Sequence, residues 1–334
     1  AALGPLSAAG LEATRLALER AAEAGRQGRI PIAGAAVTRL ASGDLKVVIV
    51  GNNGRIPAQC SPCDCRGYPT DHGETAAIRQ IEDARSVDWP NTIFATSLSP
   101  CVMCTRSLEA LHAKGLKGLV IAESSSFQGP EARLDALPNF SVVRLTQPTI
   151  VGIMQTFARR YPWDWAADIG EVPPKETARQ ELFLHARAKG AKWLAARAPG
   201  EAAVVGPSGE VLAVAEDGRE ASGGNPCHAA AICAMGRAGS DVNLRECAIV
   251  WRAAGAALDE AAFGSASLGA CELFRPAALV TAAPLDPGLD AALRAVGVEP
   301  LLGDAEATPC LGKVVKVEQA AIAARERSRS PGRV

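Results

Sequence analysis

The apolar positions of the first 150 residues recur with two different periods. From Ser7 to about Arg26 they follow the spacing of one helix face, which is typical of an amphipathic helix. Ser7 suits the N-cap of this helix, and Gly25 is a plausible stop. The apolar positions of this helix are Leu11, Leu16, Leu18, Ala21 and Ala22.

The chain then switches to short apolar runs rich in β-branched residues, which predict strands. Two of them, 34–38 and 46–51, are joined by a Ser-Gly-Asp turn, and others cover 91–97, 116–121 and 142–145. Helical spacing returns after His72 and again through Leu108 and Leu111. Strands that alternate with helices over short links predict a three-layer α/β/α domain with a mixed central sheet flanked by helices.

A similar outline repeats in the second half. We expect a helix from about Ala178 to Ala196, a strand, turn and strand over 202–214, and an apolar strand that ends at Val280. Prolines and charges at 172–176 predict a linker. The expected domains are 1–174 and 175–320 in tandem, followed by a disordered basic tail at 321–334.

Two short pieces of the first half carry candidate chemistry: His72-Gly73-Glu74, and Pro100-Cys101 followed by Cys104. Two thiolates and one imidazole are ligands that Zn²⁺ prefers, and three protein ligands leave one position open for water. With Ser99 as N-cap, both cysteines would lie in the first turn of a helix, where the helix dipole favours thiolates. Glu74 could then act as a proton shuttle beside the metal. H-x-E followed by P-C-x-x-C is the signature of zinc-dependent base deaminases.

Each piece alone has a simpler explanation. Asp71 and Glu74 could form only a helix capping box, and an isolated C-x-x-C is common in redox or structural sites. The two pieces together favour a catalytic zinc site because they occur in this order, with a strand-like segment before the second.

The second half lacks most of this chemistry. Aligning its apolar strand with that of the first half places Ala261 and Gly264 where Cys101 and Cys104 stand. His228 would stand in the place of His72, with Ala230 in the place of the glutamate. One imidazole cannot hold a catalytic zinc ion, so we expect one zinc ion per chain and a catalytically inactive second domain. The alternative is an unrelated α/β domain.

Composition limits the remaining possibilities. The 334 residues are 48% hydrophobic but only 4% aromatic, and the formal net charge is -1. A chain this close to neutral has no overall field that attracts nucleic acid or anionic membranes. No apolar run is long enough to span a bilayer, and no secretory signal is present. Ten cysteines are too few for a disulfide scaffold of this length, so we expect a cytoplasmic, reducing location. The basic segment 325–333 could contact RNA, although a solvated tail is the simpler explanation.

Further motifs make residues 7–171 similar to the fungal cytosine deaminase family of the cytidine deaminase-like superfamily. The similarity is carried by Pro31-Ile-Ala-Gly34, Gly51-Asn-Asn-Gly-Arg55, Thr96-Ser-Leu-Ser-Pro-Cys101 and, most specifically, Asp164-Trp-Ala-Ala-Asp-Ile-Gly-Glu171. Phe127 stands where that family carries a gate phenylalanine. The family works as a homodimer, which suggests that the two halves form an intrachain pseudo-dimer, with a further homodimer possible.

The resemblance implies a role for each substrate-binding residue. Asn53 would donate to a carbonyl of the base, and Asp168 would accept a ring N–H. Gly73 and Ser99 would contribute backbone contacts, while Phe127 and Trp165 would cover the ring. The residues alone leave simpler explanations open: a turn at Asn53, ordinary core positions for the two aromatic residues, and a helix cap at Asp168.

Two features depart from the family. The loop after Asn53 is longer and carries Cys60, Cys63 and Cys65, which could bind a second metal ion but lack an obvious fourth ligand. Ala166 replaces an aromatic residue that the family has after the tail tryptophan. Both changes would lie near the substrate, so the reaction is better predicted than the substrate.

The expected function is hydrolytic deamination of a small amino-substituted heterocycle, with cytosine or a related free base as first candidate. Such an enzyme is a hydrolase acting on the C–N bond of a cyclic amidine, and its partner is a small base. The alternatives are a tRNA adenosine deaminase and a non-catalytic zinc-dependent binding protein.

Overall fold

The computed structural model describes residues 4, 6–56, 67–172, 193–194, 198–255 and 258–302. Several predicted features lie outside these ranges: the cysteine loop at 60–65, the boundary near residue 174, the tail at 321–334, and all but Trp193 and Leu194 of the helix predicted for 178–196.

The first half contains one five-stranded sheet with helices against it. Strand β1 pairs antiparallel with β2 and β3, and β3, β4 and β5 continue in parallel, which gives the order β2-β1-β3-β4-β5. The elements are α1 (Ala8–Arg26), β1 (Ala33–Arg39), β2 (Leu45–Asn52), α2 (Gly73–Arg79), β3 (Thr92–Thr96), α3 (Val102–His112), β4 (Gly118–Ile121), α4 (Glu131–Asp135), β5 (Ser141–Arg144), α5 (Pro148–Arg160) and α6 (Pro162–Asp168).

The second half repeats this arrangement strand for strand. Its elements are β6 (Glu201–Val205), β7 (Val211–Glu216), α7 (Ala230–Ala238), β8 (Ala248–Trp251), α8 (Glu260–Phe263), α9 (Ser265–Phe274), β9 (Ala278–Thr281), α10 (Pro287–Ala295) and β10 (Glu299–Leu302). The order β7-β6-β8-β9-β10 has the same sequence of antiparallel and parallel pairs. Both first strands even carry a register shift at the matching place, Ala36/Val37 and Val204/Val205. The predicted tandem α/β/α fold is confirmed.

Helix α1 forms where the sequence predicts it. The Ser7 hydroxyl accepts a hydrogen bond from the Gly10 amide, which satisfies one of the free N–H groups at the helix start. Small residues of one face, Ala9, Ala13 and Ala17, are buried in a cluster with residues of the sheet. The fully buried contacts of the helix with the sheet are thus made by alanines, while Leu16 and Leu18 are partly buried beside them and Leu11 is exposed.

Helix α2 lies unusually close to the strands beneath it. A Cβ atom on Gly51 would lie 2.4 Å from the Ala77 nitrogen, and one on Gly73 would lie 2.7 Å from the Ala33 Cα atom. Only glycine allows backbones to approach this closely. Gly73 therefore places the start of α2, with His72 and Glu74, directly over the first residue of β1, and Gly51 places the later part of α2 over the end of β2.

Helix α3 begins later than the sequence suggests. Its N-cap is Cys101 rather than Ser99, and Cys104 is the third helical residue. The Ser99 hydroxyl is used elsewhere, because it accepts a hydrogen bond from the Gly129 amide and donates to Glu131. The correction leaves both sulfurs at the N-terminus of the helix, as predicted.

The two halves meet through α3 and its counterpart α9. Cys101, Met103 and Cys104 belong to a buried cluster whose other members all come from the second half. Gly269 of α9 allows this contact, since a Cβ atom there would lie 2.8 Å from the Met103 Cα atom. The face of α3 that carries both thiols is thus part of a core shared between the halves.

Buried polar contacts also join the halves. Arg106 of α3 forms ion pairs with Glu260 at 2.8 Å and with Glu272, and its side chain is only 8% exposed. The Asn225 amide donates to the carbonyls of Ile78 and Ile81 at the end of α2. A buried polar group that loses its partner costs about 1–3 kcal/mol, so these contacts select one orientation of the halves.

Among the described residues, no helix combines the length and apolar character needed to cross a bilayer.

The contact between α3 and α9 gives a stability prediction. Gly269→Ala should lower the free energy of unfolding by about 1–3 kcal/mol, because the added methyl group overpacks the helix contact. The control is Gly152→Ala in α5, where a Cβ atom would meet nothing within 4 Å. Higher helix propensity should stabilise that variant by up to about 1 kcal/mol. Urea unfolding measures both, and equal stability of the two variants would contradict the close contact.

Candidate active site

Three potential metal ligands converge at the N-termini of α2 and α3. His72 precedes α2, while Cys101 and Cys104 begin α3. The Cys101 sulfur lies 3.3 Å from His72 Nδ1 and 3.6 Å from the Cys104 sulfur, and one donor atom from each residue lies within 4.8 Å of the others. All three are buried. The two predicted motifs, separated by a strand, therefore meet in space.

These distances suit zinc. Zinc bonds of about 2.3 Å to sulfur and 2.0–2.1 Å to nitrogen, at tetrahedral angles, separate two sulfurs by about 3.8 Å and a sulfur from a nitrogen by about 3.6 Å. The observed 3.6 and 3.3 Å are slightly shorter, and a small outward shift of the side chains would match them. His72 and the two cysteines therefore fit Zn²⁺ through Nδ1 and two sulfurs.

The protonation of the three candidate ligands is coupled, because each affects the pKa of the next. Burial raises the pKa of Cys101, but hydrogen bonding to Cys104 and the charge of His72 outweigh it and hold that pKa well below its usual range. Burial and the hydrogen bond to Cys101 raise the pKa of Cys104 well above its usual range. Burial lowers the pKa of His72, yet Asp168 and Cys101 raise it to about 10. Zinc binding releases such protons, because zinc takes thiolate and neutral imidazole.

Glu74 lies beside this triad and is held by a residue that the sequence analysis gave no role. The Thr96 hydroxyl, at the end of β3, donates to Glu74 Oε1 at 2.6 Å and so positions the carboxyl group. Burial raises the pKa of Glu74, and the hydrogen bond from Thr96 offsets part of this. A buried carboxyl group with a raised pKa binds a proton more readily than an exposed one, which suits a group that takes up and returns protons.

Asn53 and Asp168 are brought together, as the resemblance implied, but they also contact each other. The Asn53 amide nitrogen lies 2.9 and 3.0 Å from the two oxygens of Asp168. Asp168 Oδ1 lies 3.5 Å from His72 Nε2, and no hydrogen-bond partner for Nε2 exists in the described part of the chain. Carboxylates commonly orient a metal-binding histidine through its second nitrogen, so Asp168 is placed to orient His72.

The two aromatic residues that the resemblance places over the ring contact each other. Phe127 and Trp165 are both partly buried, with ring centroids 5.9 Å apart in an edge-to-face arrangement. Gly73 is the first residue of α2 and lies against β1. The amide of Ser99 donates to the Glu123 carbonyl, so its backbone N–H is already occupied.

The second half contributes Phe274 to this region. Its ring meets that of His72 edge to face, with centroids 6.3 Å apart. No signal in the sequence predicts this contact, because Phe274 lies about 200 residues away at the end of α9. A weak signal for Thr96 was present, since it begins the Thr96-to-Cys101 motif.

The counterparts of the ligands in the second half differ from the predicted ones. Ala229 and Gly264, rather than His228 and Ala261, precede α7 and α9 as His72 and Cys101 precede α2 and α3. A Cβ atom on Gly264 would lie 3.0 Å from the Ala229 Cβ atom, so these positions face each other as His72 and Cys101 do.

The second-half counterparts of Cys104 and Glu74 also differ from the predicted ones. Ser267 stands where Cys104 does, and Ala231 stands where Glu74 does, in place of the predicted Gly264 and Ala230. The short helix α8 ends at Phe263 with Gly264 as its C-cap, so α9 starts later than the spacing of the apolar strands predicts. His228 Nε2 instead lies 2.9 Å from the Arg79 carbonyl oxygen.

Comparison with known proteins agrees with this site. The model of the cytidine and deoxycytidylate deaminase zinc-binding region matches residues 10–119. A cytosine deaminase of Candida albicans is 30% identical over 157 residues, which cover 47% of this chain and 94% of the relative.

Solved structures were also matched. One, from a study of tRNA deaminases that edit the wobble position, is 23% identical with a TM-score of 0.29 and covers 40% of this chain and 97% of its own. Another, a mutant of NE0047 in complex with 8-azaguanine, is 23% identical with a TM-score of 0.32 and covers 43% of this chain and 82% of its own. On the family model and the curated relative, this chain belongs to the zinc-binding cytidine and deoxycytidylate deaminase family.

Proposed function

We propose that this chain catalyses the zinc-dependent hydrolytic deamination of a small amino-substituted heterocycle, with cytosine or a related free base as first candidate. The observation that carries the proposal is the position of Glu74 beside the buried triad of His72, Cys101 and Cys104. A purely structural zinc site needs no such carboxyl group, whereas hydrolysis needs a group that moves protons.

The chain's own residues would bind and orient the base. The Asn53 amide has a second hydrogen beyond the one that faces Asp168, and it would donate to a ring carbonyl. Asp168 would accept a ring N–H, while Gly73 and the Ser99 carbonyl would contact the polar edge of the base. Phe127 and Trp165 would cover the ring and exclude water, which suits a small planar ligand.

Glu74 would move the protons. When bound at the triad, zinc activates water as a nucleophile. Thr96 holds Oε1 of Glu74, so Oε2 would take the proton from the attacking water and pass it to the ring nitrogen beside the amine-bearing carbon. A second proton transfer through Glu74 would release the amine as ammonia and leave a carbonyl.

We also propose that residues 175–320 form an inactive copy that supports the first domain as an intrachain pseudo-dimer. Ala229, Ala231 and Gly264 cannot bind a metal ion or carry a proton. The Arg219 guanidinium, which is paired with Asp217, would lie 3.1 Å from a Cβ atom on Gly264 and so occupies space beside the counterpart of the metal site.

The role of Glu74 is tested by ammonia release from a panel of free bases, nucleosides and other aminoheterocycles. We expect cytosine or a close relative to be turned over. Glu74→Gln should lower turnover by about 10²–10⁴-fold because proton transfer is lost, while zinc stays bound. Glu82→Gln, at an exposed position shortly after α2, should match the original protein. Comparable turnover by Glu74→Gln would refute the role, and ammonia from no compound would refute the function.

Metal analysis after dialysis tests the zinc ligands. The original protein should retain one zinc ion per chain, and Cys104→Ala should lose most of it because only two ligands remain. Cys271→Ala removes another fully buried thiol, on α9, and should retain zinc. A second zinc ion that persists when Cys60, Cys63 and Cys65 are replaced by serine would contradict the inactive second copy. Full retention of zinc by Cys104→Ala would contradict the ligand set.

A substitution of Asp168 distinguishes two roles for this residue, binding of the base and orientation of His72. Asp168→Asn should lower kcat/KM for the base by about 10–100-fold through loss of a charged hydrogen bond, with zinc content unchanged. Asp164→Asn changes an exposed carboxylate on the same helix and should have little effect. Loss of zinc from Asp168→Asn would show that this residue mainly orients His72 and does not primarily bind the base.

A further inference from the structure

A cleft of about 130 Å³ lies between the two halves, next to the candidate active site. We call it the inter-half cleft, and the lining residues used below are Arg55, Ala167, Gly170, Ser240, Arg245 and Phe274. Phe274 also contacts His72, and Ala167 directly precedes Asp168. The cleft therefore approaches the site from the side of Asp168 and Phe274.

Arg55 brings a buried, partly unsatisfied guanidinium to this cleft. The residue is only 7% exposed, and its Nη1 has no hydrogen-bond partner among the described residues. Its Nη2 makes one long contact, 3.4 Å, to the Ser240 carbonyl oxygen. Burial of a charged donor without an acceptor is costly, so this arrangement favours an acceptor that comes from outside the chain.

Arg245 brings a second guanidinium from the other half. Its Nη2 donates to the Gly170 carbonyl, which fixes the side chain at the cleft wall. Its Nε is buried and, like Arg55 Nη1, finds no acceptor in the described ranges. Two arginines, one from each half, thus line the inter-half cleft, and each has an N–H donor without an acceptor in the described ranges.

Other charges nearby do not satisfy these donors. Asp168 and Asp164 act on Arg55 through their charges, while Glu171 attracts and Arg275 repels the charge of Arg245. Asp241 also lines the cleft but is exposed. A planar or tetrahedral oxyanion offers several acceptor oxygens at once, and guanidinium groups match carboxylate and phosphate geometry.

We propose that the inter-half cleft binds a carboxylate or phosphate group through Arg55 and Arg245. If that group belongs to the substrate, the preferred substrate is an aminoheterocycle with an anionic substituent, held in the cleft while its ring lies at the active site. This part rests on the proposed deaminase function. Anion binding itself does not, because it needs no turnover.

The binding test is a calorimetric titration of the zinc-loaded full chain with inorganic phosphate. We expect saturable binding that is weakened about 10-fold or more in Arg245→Gln, since a charged donor is removed. Arg275→Gln removes an equal charge from an exposed neighbour that does not line the cleft, and it should bind as the original protein does.

A second variant covers the case in which Arg245→Gln does not fold. Ala167→Glu places a carboxylate at the cleft wall and should abolish phosphate binding by charge repulsion. The proposal is overturned if the original protein shows no saturable phosphate binding. It is also overturned if Arg245→Gln and Ala167→Glu both bind phosphate as tightly as the original protein does.

The source of the anion is tested by kcat/KM for cytosine and for aminopyrimidines that carry a carboxylate or phosphate. A preference for the charged compounds that Arg245→Gln removes would assign the anion to the substrate. Phosphate binding without such a preference would assign the cleft to a separate small anion. If no compound releases ammonia while phosphate binding still depends on Arg245, the deaminase function is refuted and anion binding in the inter-half cleft is supported.

Discussion

The burial of α3 between the two halves is the constraint on which the candidate site depends. One end of this helix carries Cys101 and Cys104, and the same face packs on α9 through Met103 and Gly269. The thiols therefore lie at the edge of a core that neither half completes alone. Small residues allow the backbones to approach, and the buried pairing of Arg106 with glutamates of the second half sets the orientation.

The second ligand-bearing helix is placed by a different contact of the same kind. Gly51 and Gly73 allow α2 to lie directly on the strands, and this brings His72 and Glu74 to the N-terminus of α3. The triad is thus assembled by two close contacts between backbones, that of α2 with the strands and that of α3 with α9. Such packing has little tolerance for added volume, because protein interiors are as dense as organic crystals.

The two halves share one fold but contribute different residues to the candidate site. The first half holds the zinc-binding residues and the carboxyl group, while the second contributes the rest of the core, Phe274 beside His72, and Arg245 at the cleft. Ala229, Gly264 and Ser267 stand at the helix starts of the second half, where the first half has His72, Cys101 and Cys104, and α9 still packs on α3. The second half therefore shapes the surroundings of a site whose candidate ligands all come from the first half.

The sequence by itself predicted the fold class, the alternation of strands and helices in the first half, and His72, Glu74, Cys101 and Cys104 as the candidate metal site and proton shuttle. It could do so because alternating and helical periods, and ligands close together in the chain, are local properties. Tertiary structure alone decided that Thr96 holds Glu74, that Asp168 faces His72, and that Phe274 and Arg245 reach across from the second half. It also shifted the counterparts of the ligands to Ala229 and Gly264. These contacts join residues that are far apart in sequence, and only the packing of complete helices on complete sheets brings them together.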